Sequence, residues 1–117
     1  MEDLISVLLH SANQTHVFHL QTNSFAEHKA LNKYYDTIID LADSLAEAYQ
    51  GKYGILKYKN VSKIEQYESK EQVIEYFSKI IKFIEKSRPI KDPFIDNIVQ
   101  EVESLIYSTL YKLKYLN

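Results

Sequence analysis

Apolar residues recur at helical spacing in four stretches of the chain. In the first, Leu4, Leu8 and Ala12, flanked by Ile5, Leu9 and His16, form two neighbouring rows. They predict a helix that begins after Asp3, a good N-cap, and ends near Gln21. Thr22-Asn23-Ser24 is a short polar turn, and Ser24-x-x-Glu27 is a capping box that opens a second helix. That helix carries His28, Leu31, Tyr35, Ile38, Ala42, Leu45 and Tyr49 in the alternating three-four spacing of a bundle. It is expected to end near Gln50, where Gly51 offers a residue able to take positive φ. A turn this short between long helices makes an antiparallel hairpin.

The periodicity lapses over residues 51–69, where two glycines sit among lysines and tyrosines. Within this crossing, Ser62-x-x-Glu65 predicts a short helix through Tyr67. Ser69-x-x-Gln72 then caps a third long helix, with Val73, Phe77, Ile80, Ile81 and Ile84 inward and its end at Arg88-Pro89. Asp92-Pro93 reads as an N-cap followed by an N1 proline. The fourth helix carries Phe94, Ile98, Val102, Leu105, Thr109, Leu113 and Leu116. The expectation is an all-α four-helix bundle: two tight hairpins joined by a long crossing, which lets the second and third helices run parallel.

Composition narrows the class. The 117 residues hold only two Gly and two Pro, too few for the frequent turns of a β-sandwich or barrel, and suit one domain spanning residues 1–117. The absence of Cys excludes disulfides, thiolate metal sites and cysteine catalysis. A net charge of −2 argues against non-specific nucleic-acid binding as the main activity. No apolar run approaches the length of a membrane span, and the acidic start, Met1-Glu2-Asp3, is unlike a signal peptide. A cytoplasmic protein is expected, in the host cytoplasm or the virion if a phage encodes it. The single arginine among 14 basic residues suggests an AT-rich genome, such as that of a phage or a low-GC bacterium.

The candidate chemistry lies in the first hairpin. His19 is about one turn from the end of the first helix and His28 one turn into the second, so the hairpin brings two imidazoles together. Asp43 and Glu47, spaced i, i+4, share a face of the second helix. Two imidazoles and two carboxylates suit Fe(II), Zn(II) or Mn(II). His28 and Asp43, however, are 15 residues apart on one helix, about 22 Å. They face broadly the same way, so a two-fold axis across that face would bring the imidazoles of one chain to the carboxylates of its partner. Of the remaining groups, His10 and His16 read as structural and Asp36 and Asp40 as solvated or paired with Lys. The run from Lys52 to Lys63 reads as a solvated loop, with contact to nucleic acid as its alternative use.

The segment His16-Val-Phe-His19-Leu-Gln-Thr, followed by Phe25-Ala-Glu-His28, Tyr35-Asp36 and Asp43-Ser-Leu-Ala-Glu47, resembles the Dps mini-ferritins of the ferritin-like superfamily. The resemblance is strongest over residues 16–50. Beyond them it rests on helix pattern. It implies a ferritin-like bundle with a short helix in the crossing. It also implies a ferroxidase site on His19, His28, Asp43 and Glu47, shared across a dimer two-fold, that takes Fe(II) to Fe(III). The implied partner is the chain itself, at least as a dimer and in the family as a twelve-subunit shell. DNA is a partner of many members, but no Lys-rich tail precedes the first helix here, and Leu20 stands where the family has an electron-donating Trp. The alternative is a ferritin-like bundle with a vestigial metal site, serving as an interaction, ligand-binding or DNA-associated module.

Overall fold

Four helices account for most of the chain in the computed structural model, which describes residues 1–117. They are α1 (Glu2–Gln21), α2 (Phe25–Tyr53), α3 (Lys70–Lys86) and α4 (Pro93–Tyr115). There are no strands, and no helix is long and apolar enough to cross a membrane. The 29 residues of α2, at about 1.5 Å each, set the 43 Å length of the molecule.

The capping signals act as expected at two starts. Ser24 Oγ accepts from the Glu27 N–H, and Ser69 Oγ accepts from the Gln72 N–H. Two boundaries differ. α1 already begins at Glu2, and Asp3 is drawn instead to Lys59. α2 runs through Gly51 to Tyr53 and stops at Gly54, whose φ of 99° is the left-handed turn expected three residues earlier. The extra turn is held because Lys52 and Tyr53 both bond Asp92 at the start of α4. Asp92 occupies the N-cap position of α4, yet its carboxylate makes no capping bond.

Each helix packs against two neighbours, in the cycle α1–α2–α4–α3. The residues between α2 and α3 run the length of α1: the Lys59 N–H donates to Ser6 Oγ, the Glu65 N–H to Gln14 Oε1, and the Tyr67 N–H to Gln21 Oε1. α3 therefore starts at the end where α2 starts, and runs parallel to it on the opposite corner. All four adjacent pairs are antiparallel.

The short helix expected after Ser62 is absent. Residues 54–69 are irregular throughout. They have no apolar stripe to bury, and side chains of α1 and α2 satisfy part of their backbone, so a helical turn has nothing to gain by forming. One core of 21 buried apolar residues fills the bundle. In α3 the inward residues are those expected. In α4 the stripe is turned: Ile95, Val99, Val102, Ile106, Thr109, Leu110 and Leu113 are buried, while Phe94 and Leu116 are exposed.

Candidate metal centre

His19 is the last buried residue of α1, and His28 is half-buried in the first turns of α2. The hairpin stacks their rings, with centroids 3.7 Å apart and planes 19° from parallel. The bonding is reciprocal. His19 Nδ1 donates to the His28 carbonyl at 2.7 Å, and His28 Nδ1 donates to the His19 carbonyl at 2.9 Å. A carbonyl only accepts, so both rings donate from Nδ1 and turn Nε2 away from these bonds. The His19 carbonyl belongs to the last turn of α1 and has no partner within that helix, so the His28 ring also caps it. No buried side-chain nitrogen lacks a partner. Neither Nε2 has a protein partner, so both open to solvent. Donation of Nδ1–H to a carbonyl is the usual way a metal-binding histidine is oriented.

Tyr35 and His16 extend the cluster. His16 stacks on Tyr35 at 4.3 Å, and Tyr35 stands edge-on to His19 at 5.2 Å. The Tyr35 hydroxyl donates to Asn32 Oδ1 at 2.7 Å. His16 is thus structural, as expected, but it is exposed and not part of the apolar row. His10 is structural in another way: Tyr76 and Ser62 bond its two ring nitrogens. No local pattern announces that contact, since the partners are 66 and 52 residues away.

Asp43 and Glu47 are exposed and make no ion pair. They share a face of α2, as the i, i+4 spacing predicts, and that face is the solvent side. The structure brings His19 to His28 but neither to the carboxylates. No three histidine or acidic side chains within one chain are grouped to hold a metal ion. The candidate donors lie as two separated halves: two imidazoles oriented by their Nδ1 bonds, and two exposed carboxylates.

The solvent face of α2 is segregated by charge. Lys29, Lys33, Asp36, Asp40, Asp43 and Glu47 follow one another at spacings of four and three, all exposed and none ion-paired. Ile39 on α2 and Leu9 and Leu20 on α1 are also exposed. In the run from Lys52 to Lys63, Lys52 is held by Asp92, and Lys59 by Asp3 and Glu2. That leaves Lys57 and Lys63 for any phosphate.

These features define an all-helical bundle protein with an oriented histidine pair at its first hairpin. The chain belongs to a family of unknown function (DUF5856), which matches residues 19–113. That span includes His19, His28, Asp43 and Glu47 but not His10 or His16. No curated protein and no solved structure matches the chain.

Proposed function

We propose that the protein is a ferritin-like, Dps-type iron-binding protein that works as a homodimer. His19 and His28 of one chain and Asp43 and Glu47 of the other form two equivalent sites. The observation that carries this is the reciprocal Nδ1 lock, which orients both imidazoles and leaves both Nε2 atoms facing solvent. The parallel α2 and α3 joined by a full-length crossing agree with a ferritin-like connection.

The charge order of α2 supports the two-fold. When two copies of the line pair antiparallel, Lys29 and Lys33 of each face the acidic half of the other, and Ile39 and Leu9 supply apolar area near the axis. Fe(II) is the substrate, with Zn(II) or Mn(II) able to use the same donors. Each Fe(II) gives up one electron. Peroxide accepts two electrons and two protons and leaves as water, and oxygen is the other candidate oxidant. The chain's own part is to hold the imidazoles oriented, and to bring in carboxylates that offset the ion's charge.

Anaerobic calorimetry with Fe(II) tests this. His28→Ala and Glu47→Ala should each weaken binding at least about tenfold, the size of effect seen when a metal site is disturbed. His10→Ala should leave it unchanged. Equal binding by all three variants would make the site vestigial and the protein an interaction module.

A further inference from the structure

The irregular segment between α2 and α3 is longer than its path requires. From the Lys59 anchor on Ser6 to the Glu65 anchor on Gln14 it follows eight residues of α1, about 12 Å. Six residues of extended chain reach about 20 Å. The surplus forms an arch, and beside it, between α1 and α3, lies a cavity of about 340 Å³. Val7, Val61, Tyr76, Ile80 and Phe83 give the cavity an apolar wall. That volume lies in the range of small-molecule sites, and an irregular segment of this length more often serves a function than a connection.

The rim is rich in donors. Lys79 lines the cavity and has no ion-pair partner, whereas Glu65, also on the rim, accepts from the Gln72 side chain. Both nitrogens of His10 are already engaged. Of the arch residues that line the cavity, Val61 and Ser62 have backbone N–H groups without a protein acceptor. We propose that this cavity is a binding site for a small carboxylic acid with an apolar body. The body lies against Phe83, Ile80 and Val7, and the carboxylate takes Lys79 and the N–H groups of the arch. The site uses none of the proposed metal ligands and stands or falls apart from them.

Calorimetric titration with octanoate tests the site, with 1-octanol as the neutral counterpart. Octanoate should bind once per chain and more tightly than octanol. Lys79→Gln should weaken octanoate about tenfold, the size of one charge-assisted hydrogen bond, and leave octanol unchanged. Val61→Trp, a substitution at an exposed position on the arch, should fill the cavity and abolish binding of both at an unchanged melting temperature. If Val61→Trp lowers the melting temperature, Val7→Phe fills the same space from α1. The proposal is overturned if octanoate shows no saturable binding, if octanol binds as well as octanoate, or if neither cavity-filling variant reduces binding.

Discussion

Tyr34 and Ser11 meet in the dry centre of the bundle, both without solvent exposure. The Ser11 hydroxyl donates to the Leu8 carbonyl, so Tyr34 is the donor in the 2.7 Å bond between the two side chains. Burial pushes the Tyr34 phenol well above its ordinary range, and the Ser11 bond offsets only part of that. Tyr34→Phe should cost about 1 kcal/mol, lowering the melting temperature by roughly 5 °C, whereas Tyr34→Phe with Ser11→Ala should recover part of the loss. A double-mutant cycle on thermal unfolding checks both values. Asp92 is the residue where acidity matters. The hydrogen bond from Lys52, then that from Tyr53, holds its carboxyl below the usual carboxylate range. A depressed pKa in the folded state contributes stability above the unfolded value, near 3.9, and loses it as pH falls through the folded value. Asp92→Asn should therefore melt lower than the wild type at pH 7, and the gap should narrow from about pH 4 downward. A gap independent of pH between 7 and 2 would count against the ion pair.

Helices were legible in the sequence wherever a cap and one apolar row coincide. Ser24, Ser69 and Pro93 fix three starts, and the inward residues of α3 are all in place because that helix has a single row. α4 offers two overlapping rows about one residue apart, and only packing against α2 and α3 chooses between them. The end of α2 was hidden for the same kind of reason: Asp92, which draws the last turn into the helix, is 40 residues away from Lys52. The crossing was legible as irregular but not as anchored, since glutamines on a helix carry no sign of what they bond. Gln14, fully buried, makes two bonds to the Glu65 backbone, donating from Nε2 to the carbonyl and accepting from the N–H at Oε1. Gln14→Leu should cost about 1–2 kcal/mol by leaving those groups to water, and should expose residues 60–65 to protease under native conditions. Limited proteolysis followed by mass spectrometry reads the cleavage site.

At the scale of the whole molecule the histidine pair was legible and its bonding was not. Positions 19 and 28 flank a tight turn and must meet, but stacking with crossed carbonyl bonds follows from the register of two packed helices. The charge order of α2 bears on assembly. In the proposed dimer Lys33→Glu would place acid against acid on both sides of the two-fold, so its effect would count twice. Dimer dissociation should strengthen at least about tenfold at low salt and less at high salt. Lys33→Glu with Asp43→Lys should restore association, and sedimentation equilibrium reads all three chains. A monomer at micromolar concentration in the wild type would remove the shared metal site as well. The strap along α1 carries a consequence for the order of events as the chain leaves the ribosome. Ser6, Gln14 and Gln21 emerge early, and their partners lie 53, 51 and 46 residues later. The first hairpin can close and stack its histidines while those three side chains are still hydrated. Desolvation of Ser6 and Gln14, the two that end buried, waits until residues 59–65 have been made, so the nascent α1–α2 pair keeps one polar flank in water. That flank protects it from sticking to other chains until the second hairpin arrives to cover it.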